Sequence, residues 1–278
     1  MCQTTPDNRF VSLKAPQRVW AVSSIHGEAQ RLTDLHDCLL ERIAPGDRLV
    51  YLGNYTGYGP HSREAVDELL TFRRLVLSLP GMIPNDIVYL RGGQEDLWQR
   101  LMQLHFSQAP VDTLLWMLGN GMGAALQDYG ICHHDGIVAA REGIISLTRW
   151  TTSIRASLRQ NPGHDIFMAQ HRRAAFTHLH DNETEEDRYP ILFVHAGIDR
   201  AKTLQDQGDS LWWSGECFND MNEAYRPFEK VIRGFDPKHQ GININCVTAS
   251  LDGGCGFGGA LVCAGMDAGG DVFELLEA

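Results

Sequence analysis

Several features that would assign a function directly are missing from this 278-residue chain. Its seven cysteines form an odd, scattered set without a C-x-x-C pair, which disfavours zinc-knuckle and thiol-redox sites. Reduced thiols, as in the cytoplasm, are the simpler interpretation. No apolar run approaches the roughly 20 residues that span a bilayer. The first 18 residues are polar and contain no apolar signal core, so we expect a cytoplasmic protein without membrane attachment.

Basic residues are also in deficit. The chain has 24 Lys and Arg against 35 Asp and Glu, which gives a formal net charge of -11. This balance argues against nonspecific binding to nucleic acids or to anionic membranes. The rest of the composition is ordinary, because 43% hydrophobic and 21% charged residues are typical of a globular protein. A chain of this length can bury a full core.

Short apolar runs alternate with amphipathic helical patterns over the first third of the chain. Residues 18–23, 49–52 and 86–91 predict strands, and each runs into a polar or glycine-containing loop followed by a helical pattern. This alternation indicates a βαβαβ unit with parallel strands. The loops at the carboxyl ends of such strands are the usual place for chemistry in α/β proteins.

The middle of the chain is mostly helical, and strand character returns after it. Residues 96–180 predict a helical insert, and the acidic run 181–187 reads as a solvated loop. Residues 191–194 and 231–235 predict strands. The tail segments 242–247, 260–264 and 272–276 predict short strands of a second sheet, with antiparallel neighbours. Without a linker or an internal repeat, we expect one domain over 1–278 that contains the insert.

Five loops resemble the signature motifs of the calcineurin-like metallophosphoesterases, the fold of the Ser/Thr protein phosphatases and the diadenosine tetraphosphatases. They occur in the family's order over residues 19 to about 275, a combination more specific than any single motif. They read Ser23-Ser24-Ile25-His26-Gly27, Gly53-Asn54-Tyr55-Thr56-Gly57-Tyr58-Gly59, Gly92-Gly93-Gln94-Glu95, Val194-His195-Ala196-Gly197 and Gly234-Phe235-Asp236-Pro237. The resemblance implies an α/β fold of two mixed sheets packed face to face with helices outside, and an insert that walls the active-site cleft.

The resemblance also implies that most catalytic groups of the family are absent here. Two metal-ligand positions remain, His26 and His195. The other four have become Ser24, Asn54, Gly93 and Phe235. Gln94 replaces the histidine that protonates the leaving group, and Tyr58 replaces the arginine that grips the phosphate.

These losses predict that no pair of metal ions is held. Two dications about 3.5–4 Å apart need an anionic bridge, and the neutral amide of Asn54 cannot offset their repulsion. The imidazoles of His26 and His195 alone do not match a hydrolytic zinc site, which usually has three protein ligands. We therefore expect no catalytic residues and no cofactor. The alternative is a single, weakly bound Mn or Zn on a site rebuilt with a nearby carboxylate.

The remnant of the pocket consists of His26, His195, Arg91, Arg233 and Asp252. The two arginines could attract an anion or pair with local carboxylates, and a structural role suits Asp252. Tyr58 and Phe235 make the pocket more aromatic. Aromatic side chains could fill a vacated metal cavity, which we favour, or could receive an apolar or planar ligand.

The resulting functional hypothesis is a catalytically degenerate phosphatase that acts by binding a protein or another ligand. The alternatives are residual phosphoester hydrolysis on a rebuilt site and a purely structural subunit of an assembly. The insert is the expected contact with a protein partner. Trp150, Arg155 and Arg159 are its candidate binding residues, because tryptophan and arginine are enriched at binding hot spots. Nucleic acid and membrane are not expected as partners.

Overall fold

The computed structural model describes residues 9–178, 189–215 and 218–278. Cys2, Cys217 and the predicted acidic loop at 181–187 lie outside the described residues. Within the described ranges, no helix has both the length and the apolar character that crossing a membrane requires.

Eleven strands and nine α-helices are present among the described residues. The strands are β1 (Phe10–Ser12), β2 (Arg18–Val22), β3 (Arg48–Tyr51), β4 (Ile87–Tyr89), β5 (Ala174–Phe176), β6 (Tyr189–Val194), β7 (Phe228–Arg233), β8 (Asn243–Ile244), β9 (Thr248–Ser250), β10 (Val262–Asp267) and β11 (Val272–Glu277). The helices are α1 (Ala29–Leu40), α2 (Ser62–Ser78), α3 (Gly93–Met102), α4 (Pro110–Met117), α5 (Gly123–Asp128), α6 (His133–Glu142), α7 (Ile144–Arg159), α8 (His164–Ala169) and α9 (Ser210–Trp213).

The strands form two mixed sheets, as the resemblance implies. One sheet has the order β11-β10-β2-β3-β4, and the other has the order β1-β5-β6-β7-β9-β8. Strands β2, β3 and β4 are parallel neighbours, which confirms the predicted βαβαβ unit. In the second sheet β6, β7 and β9 are also parallel. The carboxyl ends of these parallel strands therefore supply the loops of the candidate site.

The assignment of the tail to the second sheet was wrong for its last two strands. Strand β10 pairs antiparallel with β2 and with β11, so both β10 and β11 extend the first sheet. Only β8 and β9 join the second sheet, where they form an antiparallel pair. Alternating polarity predicts strands but not their partners, because the partner is decided by long-range packing.

Apolar side chains fill three layers around the sheets and a separate core in the insert. Val50 and Leu52 of one sheet and Phe193 and Ile232 of the other lie between the sheets, fully buried. The opposite face of the first sheet packs against α1 and α2. Helices α3 to α7 contribute to a core of their own. The helices of this region run from Gly93 to Ala169, so the predicted bounds 96–180 were wrong at both ends: α3 begins before residue 96, and β5 is already a strand of the second sheet.

Candidate functional site

All five motif loops meet at one edge of the two sheets. The amide of Ser24 donates to the carbonyl oxygen of Gly234 at 3.2 Å, and that of His26 donates to the carbonyl of Asn54 at 2.7 Å. The amide of Gly234 in turn donates to the carbonyl of His195 at 3.0 Å. The amide of Gln94 donates to Asn54 Oδ1 at 2.9 Å. The structure therefore brings together all the motif positions that the sequence singled out.

The loop after β3 depends on a left-handed backbone. Gly53 has φ 95° and Asn54 has φ 58°. A Cβ atom at Gly53 would lie 2.7 Å from the amide nitrogen of Gly92 and 2.8 Å from His195 Nδ1. Glycine is needed here both for its positive φ and for this close approach of three loops. The backbone of this loop is therefore set by its glycine and by the neighbouring loops, independently of the side chain at position 54.

Glu95 anchors the second and third motif loops from below. Its carboxylate accepts hydrogen bonds from the backbone amides of Asn54 (2.8 Å), Tyr55 (3.0 Å) and Gly92 (2.8 Å). Burial raises the pKa of this carboxyl, and the three amide donors oppose that shift. In the sequence, Glu95 is only the last residue of the third motif. Nothing else in the sequence indicates that its carboxylate holds two of the motif loops together.

The two retained histidines are buried, and their ring nitrogens differ in availability. His195 Nδ1 donates to the carbonyl oxygen of Leu52 at 2.6 Å, which leaves the lone pair on Nε2. His26 Nε2 accepts a hydrogen bond from the Asn54 amide at 3.3 Å, which places the His26 proton on Nδ1. Neither His195 Nε2 nor His26 Nδ1 has a partner among the described residues. Only His195 therefore presents a free nitrogen lone pair.

Both imidazoles are neutral at physiological pH. Burial lowers the pKa of His26 to about 3, and the neighbouring His195 and His239 add to this effect. Burial likewise lowers the pKa of His195 to about 4, against the opposing hydrogen bond to Leu52. Because desolvation disfavours the charged form, neither ring can offer a positive charge to a bound anion above these pH values.

Aromatic rings occupy the space around the two histidines. Phe235 stacks on His195 with ring centroids 5.4 Å apart and planes 6° from parallel. Tyr58, Phe235 and Phe257 all contact His26 edge-on, at centroid distances of 5.3, 5.6 and 5.3 Å. Tyr58 and Phe257 form the outer part of this group and are 37% and 44% exposed. We call these five rings (His26, Tyr58, His195, Phe235 and Phe257) the aromatic pocket.

The other motif positions that differ from the family's pattern are packed against neighbouring residues or hydrogen-bonded to them, or are buried. A Cβ atom at Gly93 would lie 3.1 Å from Trp213 Cη2, so the tryptophan ring occupies the space beside this position. Gln94 Nε2 donates to the carbonyl oxygen of Asn120 in the insert at 2.8 Å. Ser24 is buried, and its hydroxyl oxygen has no partner within the described ranges. The pocket is thus packed with side chains that are not metal ligands.

The donor set does not fit the two metal ions that the fold family implies. The oxygen of the Asn54 amide is already bound by the amide of Gln94, and Phe235 and Gly93 supply no donor atom. His26 has its lone pair directed to Asn54. Within the described residues, no group of three or more His, Cys, Asp and Glu side chains is placed to hold a metal ion. A site of this kind cannot hold two dications, which require an anionic bridge.

The two arginines and the aspartate of the pocket remnant pair locally. Arg233 Nη2 contacts Asp236 Oδ2 at 2.9 Å, and both side chains are buried. Arg91 pairs with Asp96. Asp252 accepts hydrogen bonds from the backbone amide of Asp236 at 2.8 Å and from His239 Nδ1 at 3.0 Å. These contacts agree with local pairing of the arginines and with a structural role for Asp252.

The structure separates the three predicted partner-binding residues. Trp150 is only 8% exposed and packs inside the core of the insert, so it cannot serve as a surface hot spot. Its spacing with Leu147 and Ile154 places it on the buried face of α7. Arg155 and Arg159, on the same helix, instead line a cavity beside α3.

Four residues near the site were not among the predicted site residues. Phe257, His239 and Trp213 contact the aromatic pocket or fill a motif position, and Glu95 anchors the loops. Phe257 follows a glycine-rich segment in which Gly256 has φ 84° and lies against His26. The glycines were a signal for a tight loop. The local sequence did not predict which residue of this loop would contact the pocket, because that contact is made with a residue distant in sequence.

Comparisons with known proteins agree on the fold. No family model matches the chain, and no curated protein matches it in sequence. A solved structure of a candidate diadenosine tetraphosphatase superposes with a TM-score of 0.58 at 16% identity, over 97% of this chain and 98% of the other. A serine/threonine phosphatase from Saccharomyces cerevisiae gives a TM-score of 0.57 at 13% identity, over 97% and 84% of the two chains.

A cold-active protein tyrosine phosphatase is a third structural neighbour. Its TM-score is 0.52 at 11% identity, over 99% of this chain and 83% of the other. Identities this low establish the fold and leave the chemistry of the site to be argued from its own residues. Nearly the whole chain takes part in each superposition. The protein therefore has the fold of the calcineurin-like metallophosphoesterases.

Proposed function

We propose that this protein is a pseudophosphatase, which has kept the metallophosphoesterase fold and acts by binding instead of by metal-dependent hydrolysis. The observation that carries the proposal is the ring of Phe235, stacked on His195 at a ligand position of the family's site. A phenyl ring adds packing to the pocket and no donor for a metal ion. Without a metal-activated water, and with Gln94 in place of a protonating histidine, a phosphoester has neither nucleophile nor general acid.

Metal content and turnover together test this proposal. The protein is incubated with Mn²⁺ or Zn²⁺, desalted and analysed for bound metal, and its hydrolysis of phenyl phosphate is measured. We expect fewer than about one ion per chain and no turnover above that of His26→Ala and His195→Ala variants. About two ions per chain would contradict the proposal. One ion lost in His195→Ala, with turnover lost as well, would support the rebuilt mononuclear site.

A protein partner at the insert is the second part of the proposal. The insert exposes large apolar side chains, among them Trp116 (45% exposed), Ile144 (61%) and Ile145 (74%). Large exposed apolar side chains in one region are typical of interaction surfaces. We expect affinity capture from the native source to lose its partner in an Ile144→Glu, Ile145→Glu variant. The matched control is Ile83→Glu, which lies outside the insert and is 54% exposed.

Equal capture by the wild type and the insert variant would remove the insert as the interface. A native mass matching a fixed assembly, with the chain never found free, would favour the structural-subunit alternative. We also propose a cytoplasmic location, which is supported by the free thiols of the described cysteines Cys38, Cys132, Cys246, Cys255 and Cys263.

A further inference from the structure

A cavity of about 610 Å³ lies between α3 on one side and α7 and α8 on the other, and Glu95 is one of its lining residues. Its volume is within the range of natural small-molecule sites, roughly 300–1,000 Å³. None of the five rings of the aromatic pocket lines it. Its lining includes Arg91, Met102, Arg155, Arg159, Met168 and His171.

Arg155 and Arg159 bring positive charge to the cavity, whereas Arg91 is paired with Asp96 and adds only a hydrogen-bond donor. Arg155 Nη2 donates to the carbonyl oxygen of Met102 at 2.7 Å, which holds the guanidinium in place without neutralising it. Arg159 is 69% exposed, and its ion pair with Asp165 is long at 3.8 Å. The buried Nε of Arg91 has no hydrogen-bond partner among the described residues. Donor capacity and positive charge therefore remain available at this wall.

The lining also contains two acidic groups, Glu95 and Asp165, which offset part of the arginine charge. The Glu95 carboxylate already accepts the three backbone hydrogen bonds of the motif loops. Asp165 is 44% exposed to water, which screens its interaction with Arg159. Arginine donors that are not used by these contacts remain around an open space, among them the Nε of Arg91 and the guanidinium of Arg155, and such donors suit carboxylate or phosphate oxygens.

His171 adds a fixed, neutral polar group to the lining. Its ring stacks on Tyr55 with centroids 5.2 Å apart and meets Phe167 edge-on at 4.9 Å. Burial and the nearby Arg91 lower its pKa to about 3, so the imidazole is neutral at pH 7. Its Nε2 is buried and has no partner among the described residues. A buried polar atom of this kind costs free energy unless it is bound by water or by a ligand.

We propose that this cavity binds a small organic anion. Its carboxylate or phosphate group would contact the arginines, and its apolar part would pack on Met102, Leu158 and Met168. The site is separate from the lost metal centre, and its occupation does not depend on whether the aromatic pocket binds anything. It also gives Arg155 and Arg159 a role in small-molecule recognition in place of the protein contact that their sequence suggested.

Titration calorimetry with simple probes tests the proposal. Benzoate and phenyl phosphate represent the two anionic groups, inorganic phosphate lacks the apolar part, and benzamide lacks the charge. We expect at least one of the two aromatic anions to bind, inorganic phosphate to bind more weakly, and benzamide to give no detectable heat. Binding should weaken with added salt, because arginine–anion contacts are partly screened. Whichever anion binds more tightly identifies the preferred group.

Variants locate the binding. Arg155→Gln and Arg159→Gln should each weaken binding about tenfold, the cost of a lost hydrogen bond to a charged group. Arg149→Gln is the matched control, because Arg149 is an exposed residue of the same helix outside the cavity lining. Ala169→Phe, at the cavity wall, should weaken binding through steric filling without changing the charge. Each variant is first shown to unfold at the same urea concentration as the wild type.

Three results would overturn the proposal: no binding of either aromatic anion, equal affinity for benzoate and benzamide, or unchanged affinity in both Arg155→Gln and Arg159→Gln. None of these results bears on the loss of hydrolysis, which is measured by metal content and turnover. Failure of the anion site and failure of the pseudophosphatase proposal are therefore distinguishable.

Discussion

The aromatic pocket and the cavity differ in chemistry, although Glu95 contributes to both: it binds the backbone amide of Asn54 and lines the cavity. The aromatic pocket contains two neutral histidines and three further rings, and its polar groups bond mostly to neighbouring loops. The cavity is open, lined by three arginines and about 610 Å³ in volume. Arg155 and Arg159 line the cavity, whereas Arg233, near the aromatic pocket, is paired with the buried Asp236.

The difference shows which part of a site a fold retains most easily. The backbone frame of the motif loops is held by Glu95, by the positive φ of Gly53 and by the hydrogen bond from His195 to Leu52. These contacts stabilise the fold itself, whether or not a metal is bound. Phe235, in contrast, makes its contacts through ring packing on His195 and His26 and takes no part in these backbone hydrogen bonds through its side chain.

The sharpest way to break the comparison is to rebuild the metal site. Ser24→Asp, Asn54→Asp, Gly93→Asn, Gln94→His and Phe235→His restore the family's groups. Trp213→Leu must accompany them, because Trp213 Cη2 lies 3.1 Å from the Cβ position at Gly93. We expect the combined variant to retain about two Mn²⁺ ions per chain after desalting, because the anionic bridge is present again.

The control for this experiment leaves Asn54 unchanged and makes the other five substitutions. Without the bridging carboxylate it should hold at most about one ion. A folded combined variant that binds no metal would show that the pocket differs from the family's site in shape as well as in its side chains.

A second prediction tests Glu95 as the shared anchor. Glu95→Ala removes the acceptor of three buried backbone amides, and each unsatisfied donor costs about 1–3 kcal/mol. We expect the free energy of unfolding in urea to fall by at least about 3 kcal/mol. Glu142→Ala, at an exposed position of α6, should change it by less than about 0.5 kcal/mol. Similar losses in both variants would refute the anchoring role.

The sequence predicted the location of the site better than its contents. Parallel strands that end in loops predict that His26 and Asn54 lie at one edge of a sheet, whereas the place of His195 beside them, on the second sheet, was implied by the family resemblance. It could not reveal that Phe257 would cover His26, since that contact joins residues 231 positions apart. Trp150 was misjudged for a related reason, because composition alone does not tell which face of a helix is buried.

Lowering the pH should reduce the free energy of unfolding, in part through the buried His26 of the aromatic pocket. The folded state lowers the pKa of His26 to about 3, below its unfolded value of 6.5, so folding favours the neutral ring. The corresponding stability is present above pH 6.5 and is lost as the pH falls toward 3. Below pH 6.5, His26→Asn should therefore reduce the slope of unfolding free energy against pH by up to about 1.4 kcal/mol per pH unit.

His133→Asn serves as the control for the acid experiment, because His133 is exposed in the insert. Its urea-unfolding free energies between pH 4 and pH 7 should run parallel to those of the wild type. The prediction fails if the His26→Asn curve is also parallel to the wild type.

The smallest expected effect comes from removing the outermost ring. Phe257 is 44% exposed and lies 4.6 Å from Tyr58 and 4.2 Å from His239 between ring centroids, besides its edge contact with His26. Aromatic pairs contribute about 0.5–1.5 kcal/mol, so Phe257→Ala should cost roughly 1 kcal/mol of unfolding free energy. Its removal should also admit water to His26 and raise the pKa of that ring.

Two measurements on Phe257→Ala separate packing from shielding. Urea unfolding gives the packing loss, with Phe106→Ala, at a 76% exposed position, as a control that should change little. An NMR titration of the histidine ring protons gives the pKa of His26. A stability loss without a change in this pKa would mean that Phe257 packs on the pocket but does not keep it dry. A higher pKa of His26 would show that the ring of Phe257 keeps water away from this histidine.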